Sequence, residues 1–265
     1  MLNELLKKYD LEEFKNEFES LVKQCWAGEA YKRKHEKGES KVGGLPDAPE
    51  GFVWPVFKGL PLEFICQIKC SEVDLTNFPK DGLLLFFVCD GYWTDKIEDK
   101  DYIRVVYVPE SACLVETKPP FIYKKRLFGL LKPREIPKVF DEARLKISRS
   151  ISLPDPESLN PDFAKKMDLK DECEGYCEIK EEISGERFIQ IGGYPHPIQY
   201  DGIAESAAKA FGFGEAKDWH MILEVSFSPQ TNMMWGDGGR LHFFAHKADI
   251  ENRKFDNVWM EFQCH

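Results

Sequence analysis

The sequence predicts an α+β fold, a tandem duplication of two antiparallel-rich β half-domains with flanking helices. Three observations carry this reading. The first residues show helical spacing of apolar groups; later runs are short, β-branched and aromatic, and bounded by Pro, Gly and Asp; and four blocks recur in the same order in both halves of the chain.

Apolar residues at Leu2, Leu5, Leu6, Leu11, Phe14, Phe18, Leu21, Val22 and Cys25 follow the i, i+3/i+4, i+7 pattern of an amphipathic helix. Asp10 followed by Glu13 resembles a capping box, so two helices meeting near Tyr9-Asp10 are expected. Residues 27–41 are charged, interrupted by glycine and aperiodic, which predicts a loop or a frayed helix end. Strands are predicted over Phe64–Ile68, Leu83–Val88 and Tyr102–Val108. From Lys118 to about Gly185, seven prolines and dense charge predict a long connector with helical pieces. Inside it, Phe121–Lys132 is basic and apolar; it suits either a membrane surface or, as favoured here, packing on the body with the Lys stems snorkelling. Strands resume at Arg187. Asp201 is the expected N-cap of a helix on which Ile203, Ala207, Ala210 and Phe211 share a face, packed on the second half's sheet and stopped at Gly212-Phe213-Gly214. The expected organisation is 1–40 N-terminal helices, 41–117 first half, 118–186 connector and 187–265 second half, with 41–265 forming one body.

The recurring blocks are short but ordered. Val42-Gly43-Gly44-Leu45-Pro46 matches Ile191-Gly192-Gly193-Tyr194-Pro195, at a separation of 149 residues. Leu62–Ile68 finds a counterpart in Met221–Val225. Asp81–Phe87 aligns with Gly238–Phe244, at a separation of 157, and Ile103–Tyr107 answers Val258–Phe262. Each half would be a meander with one apolar face that needs a partner layer.

Composition excludes several classes. With 265 residues, 36 basic against 46 acidic side chains and a net charge of −10, the chain disfavours nucleic acid, while 43% apolar content excludes wholesale disorder. The longest apolar run, Leu83–Cys89, is far shorter than the ~20 residues of a membrane span. The N-terminus lacks an apolar core followed by small residues, so no secretory leader and a cytoplasmic address are expected. The eight cysteines are then expected as reduced thiols, and the pairs Cys66/Cys70 and Cys173/Cys177 lack the spacing and further ligands of a zinc site. His242 and His246 share a face of a predicted strand but would lie about 13 Å apart, too far to share a metal, with both histidines on the strand's more polar face. No metal and no cofactor are expected.

The motifs Gly43-Gly44-Leu45-Pro46, Trp54-Pro55, Pro61–Ile68, Pro79–Phe87, Gly192–Gln199, Trp235–Phe244 and Phe255–Trp259 together resemble the YwqG-like family of bacterial proteins of unknown function, over about Gly43 to Cys264. The resemblance implies an α+β fold built by tandem duplication. Such proteins are often encoded near secreted-toxin systems, which implies toxin neutralisation or another protein-binding role, and the family brings no catalytic residues with it.

Two loops, Gly192–Gln199 and Trp235–Gly239, are dense in glycine and proline and therefore rigid. They could display His196, Gln199, Trp235 and Asp237 into a shared cleft as base, polar contact, stacking wall and orienting carboxylate. The bland alternative is favoured: the glycines make turns, Trp235 is core, Asp237 caps a turn and His196 is exposed. No nucleophile elbow or phosphate-loop pattern is present. Acidic runs at 95–101, 171–174 and 178–182 are expected mainly as solvated faces. The residues therefore point first to a non-enzymatic cytosolic protein-binding module, neutralising or regulating a basic partner, without nucleic-acid or membrane contact. The alternative is an enzyme or small-ligand binder using the cleft between the halves. Oligomeric state is not legible.

Overall fold

The computed structural model describes the chain except residues 34, 94–95, 121–122, 126–130, 134–137, 167–173 and 186, and gives the backbone alone at 123–125 and 131–133. Its centre is a ten-stranded sheet made of β1 (Lys23–Tyr31), β2 (Lys41–Val42), β3 (Glu63–Lys69), β4 (Leu83–Val88), β5 (Ile103–Val108), β6 (Ala143–Ser152), β7 (Ile189–Ile191), β8 (Trp219–Val225), β9 (Arg240–His246) and β10 (Val258–Gln263). The order is β10-β9-β8-β7-β1-β6-β2-β3-β4-β5, and every neighbouring pair is antiparallel. The two edges curl towards each other into a nearly closed barrel: the Tyr102 hydroxyl, at the foot of β5, donates to the Met260 carbonyl of β10 at 2.9 Å.

The order reads the same from both ends. A central pair, β1 and β6, is flanked by β2-β3-β4-β5 on one side and β7-β8-β9-β10 on the other. The registers correspond as well. β3 and β4 slip between Phe64 and Cys66, and β8 and β9 slip between Met221 and Leu223, which are the positions 157 residues further on. A bulge re-aims a strand, so matched bulges give the two flanks the same curvature.

Alternation sorts each strand into an inner and an outer face. Phe86 and Phe243 meet inside the barrel at 5.4 Å, edge to face, so the two flanks share one core. Phe87 points outward and is covered by Phe52 and Trp54. Phe244 also points outward and is covered by the helix Ile203–Phe211, with Ile203, Ala207, Trp219, Met221 and Trp259. Both flanks are thus buried on both faces, which explains the wholly apolar run of β4. That helix lies where the sequence places it and ends on Gly212 in the left-handed region, although its N-cap is Gly202 and not Asp201.

Two expectations are corrected. The helical pattern stops at Leu21; Lys23–Tyr31, read as the end of a helix and a charged loop, is the central strand β1, in nine-residue register with β6. β6 itself, Ala143–Ser152, lies in the stretch read as an irregular connector. Pairing across 120 residues, absent from local propensity, makes both segments strands. The first helices, α1 (Leu2–Lys8) and α2 (Lys15–Leu21), break at Asp10, whose φ is +55°. They pack through Leu6 and Phe18 on α3 (Pro161–Lys166) and α4 (Glu174–Ser184), burying Phe163, Tyr176, Ile179 and Ile183. Of Phe121–Lys132, only the backbone of a small hairpin, Tyr123–Lys125 with Leu131–Pro133, lies within the described residues. Among the described residues, no helix is long and apolar enough to cross a membrane.

Gly43, at the end of β2, has φ +62°, and a Cβ there would overlap the Asp141 carbonyl oxygen. Gly43→Ala should therefore cost more than about 2 kcal/mol in thermal or denaturant unfolding, adding a backbone clash to the left-handed penalty. Gly51→Ala, at φ +77° in open space, should cost only about 1 kcal/mol.

Candidate functional site

The outer face of the second flank carries a row of polar side chains where an apolar row would be expected. Cross-strand register places Gln190 of β7 opposite Glu224 of β8, Glu224 opposite His242 of β9, and Arg240, two residues before His242, opposite Gln263 of β10. Gln190, Glu224, His242 and Gln263 are all buried, at 2% exposure or less. The segment 192–200 runs over them, and β7, β8 and β10 each supply a side chain that bonds its backbone. The Gln190 amide donates to the Gly192 and Tyr194 carbonyls at 3.1 and 2.7 Å. Glu224 Oε2 accepts the His196 amide at 2.8 Å. Gln263 Oε1 accepts the amides of Ile198 and Gln199 at 2.7 and 3.1 Å, while its NH₂ donates to the Tyr200 carbonyl at 2.9 Å. A loop without a strand partner acquires polar rungs from three strands, which meets the requirement that buried backbone groups be paired.

Glu224 is the charged rung. Its Oε1 accepts from His196 Nδ1 at 2.9 Å and from Arg240 at 2.7 Å, and His242 Nδ1 lies 3.2 Å from Oε2. Burial alone would push this carboxyl up, but the attraction of His196 and the hydrogen bonds from His196 and His242 outweigh it and hold Glu224 well below the usual carboxylate range. An ionised carboxylate cannot donate, so His196 Nδ1 carries a proton toward it. Nε2 faces the Ser184 hydroxyl, the last residue of α4, at 2.6 Å.

The first flank has the same frame with a different rung. Asp47 follows Gly43-Gly44-Leu45-Pro46 as His196 follows Gly192-Gly193-Tyr194-Pro195, and its amide donates at 2.9 Å to Gln67 Oε1, a neutral amide at the position of Glu224. The charge lies beside it: Lys41, fully buried, meets Glu142 at 3.1 Å and His35 Nε2 at 3.0 Å, and His35 Nδ1 meets Glu142 at 2.8 Å. Burial raises Glu142, but its bonds with His35 and Lys41 win and hold it low.

The four residues singled out from the sequence do not share one cleft. His196 sits in the Glu224 cluster, half-buried rather than exposed. Gln199 is exposed and enters the row only through its backbone amide. Trp235 is fully enclosed, edge to face with Phe140 at 5.6 Å and with Trp93 at 6.5 Å, so it is core and lines no open cleft. Asp237 is exposed, and its carbonyl accepts from the His265 amide. Leu241–His246 is a strand, and His242 lies on its more polar face, where it is fully buried against Glu224. Sequence reasoning missed Glu224, Gln190 and Gln263. Their signal is a single polar residue inside an otherwise apolar strand, which is costly unless partnered.

The polar row borders a groove of about 1280 Å³. It is lined by Gly192–Pro195, by residues 75–78 next to Gly192, by Asp155, Glu157 and Ser158, and by the start of the helix Ile203–Phe211. The charged groups lining it are Asp155, Glu157, Asp201, Glu205, Lys23 and Lys217, and Asp155 is paired with Lys180 at 2.9 Å. The Lys23 amine lies 3.9 Å from the centre of the Tyr194 ring, and Lys217 pairs with Glu215. Among the described residues the seven cysteines are free thiols, and no group of three or more His, Cys, Asp or Glu is placed to hold a metal ion.

Fold and site together define a mixed α/β protein with a mostly antiparallel, nearly closed sheet, a buried carboxylate beneath its glycine-rich loop and an acid-lined groove beside it. The chain belongs to the family described as a domain of unknown function (DUF1963), whose model matches residues 40–264. Comparison with curated proteins finds no match.

Glu224→Gln leaves two imidazoles and Arg240 facing a neutral amide and should cost about 3 kcal/mol in denaturant unfolding, whereas Asp237→Ala should change stability by less than about 0.5 kcal/mol. The folded-state pKa of Glu224 is depressed, so its contribution is fully present above its unfolded value and is lost as pH falls through the folded one. The variant should lose that part of the wild type's acid destabilisation; stability against pH checks it.

Proposed function

We propose that this chain is a protein-binding module whose groove takes a basic segment of a partner, so that it neutralises or regulates that partner. The observation that carries the reading is the groove itself. It is large and open, and Glu157, Asp201 and Glu205 line it beside Asp155, which Lys180 neutralises, against two amines that already have partners within the chain. An excess of acid at such a surface attracts a cationic ligand and repels an anionic one. The net charge of −10 acts in the same direction at longer range.

The same reading takes the matched bulges, the mirrored strand order and the paired Gly-Gly-x-Pro loops, together with the motif resemblance to YwqG-like proteins, as support for descent by tandem duplication. After duplication one flank kept a neutral rung, Gln67, and the other a charged one, Glu224. The groove runs along the glycine-rich loop of the second.

A decapeptide rich in Lys and Arg should bind in titration calorimetry, weakening steeply as salt rises, while a Glu-rich decapeptide should not bind. Glu157→Lys with Glu205→Lys reverses two exposed charges of the groove and should weaken binding about tenfold, the equivalent of about 1.4 kcal/mol. Equal binding of both peptides, or an unaffected double variant, contradicts the reading.

A further inference from the structure

From the alignment of three side chains we infer that Ser184 is a nucleophile for acyl transfer, with His196 as its general base and Glu224 as the carboxylate that orients the base. Ser184 Oγ lies 2.6 Å from His196 Nε2, and His196 Nδ1 lies 2.9 Å from Glu224 Oε1. This is the arrangement of an activated hydroxyl: nucleophile, base and orienting acid within hydrogen-bond reach, recognised by geometry and not by a local sequence motif. No elbow sequence announces it, because the three residues come from the end of α4, the glycine-rich loop and β8.

Three features separate this chain of bonds from a mere tie between a helix and a loop. The bonds suit a general base: with Nδ1 donating to Glu224, the neutral imidazole has Nε2 free to accept from the Ser184 hydroxyl. In that state the serine hydroxyl is directed at the base. The base is fixed twice, since the His196 amide is bonded to the other oxygen of the same carboxylate. The site is dry without being closed. Ser184 is 9% exposed and the His196 side chain 13%, and next to Ser184 a side chain placed on Gly185 would meet nothing within 4 Å.

The substrate class is a carboxylic ester. Ser184 Oγ attacks the carbonyl carbon while its proton passes to His196 Nε2. The bond from that carbon to the alcohol oxygen breaks, and His196 returns the proton to the departing alcohol. Water, deprotonated by the same imidazole, then attacks acyl-Ser184 and releases the acid and the free hydroxyl. The groove is a separate feature, and this activity stands or falls independently of what the groove binds.

The test uses a fluorophosphonate, whose fluoride leaves as the Ser184 Oγ–phosphorus bond forms, with peptide mass spectrometry of the full chain, and p-nitrophenyl acetate as substrate. The expected result is one adduct, on Ser184, absent from Ser184→Ala and formed at least about a hundredfold more slowly in His196→Asn, with p-nitrophenol release falling in parallel. Ser184→Ala removes one oxygen at the end of a helix, and its circular dichroism and melting curve establish that it folds. Wild-type protein that stays unmodified under excess probe overturns the proposal. So does an adduct on Ser184 that forms equally fast in a folded His196→Asn variant, because either result leaves the three residues as a structural tie only.

Discussion

A single buried carboxylate organises the second flank. Glu224 lies on a sheet face that packing would otherwise fill with apolar groups, and it is stable there because donors reach it from β9 and from the glycine-rich loop at once. Without the carboxylate, the His196 amide loses its acceptor and the imidazoles and Arg240 lose their counter-charge in a dry environment, where unpaired polar groups are costly. The path of 192–200, the wall of the groove and the contact with Ser184 all follow from that anchor.

The first flank shows the same problem solved with less charge. Its loop after Gly43-Gly44 also needs an acceptor for one amide, and Gln67 provides it through a neutral oxygen, while its NH₂ satisfies the Glu39 carbonyl and Asp47 at 2.8 and 2.9 Å. The frame of each flank therefore needs only a side-chain oxygen at this position. A negative charge is an addition, and in the second flank it orients the His196 ring, whose far nitrogen meets Ser184.

Much of the frame was legible in the sequence. β3, β4 and β5 are short runs of β-branched and aromatic residues, and β8, β9 and β10 repeat them at a nearly constant separation, so both flanks could be read from local pattern. The central pair was not. β1 contains Glu29, Gly28 and Lys23 among its nine residues, and β6 carries Arg and Lys at alternate places, so neither has the composition of a core strand; only their mutual register makes them one. The site was legible in part. The glycine–proline loop and His196 stand out for their backbone demands, but their partners lie in strands whose one polar residue looks incidental until register sets Gln190, Glu224 and His242 side by side. Trp235 misled for the opposite reason: an aromatic beside glycines suits a display loop, yet its indole faces Phe140 inside the core.

The central claim is that Glu224 remains ionised while buried, and a ¹³C titration of the side-chain carboxyls reads it directly. With ¹³C-labelled glutamate and Glu224→Gln for assignment, the Glu224 carboxyl is predicted to keep its ionised shift while exposed glutamates titrate near their ordinary value of about 4.3. A Glu224 signal that titrates at or above that value would show burial outweighing its partners and would contradict the account.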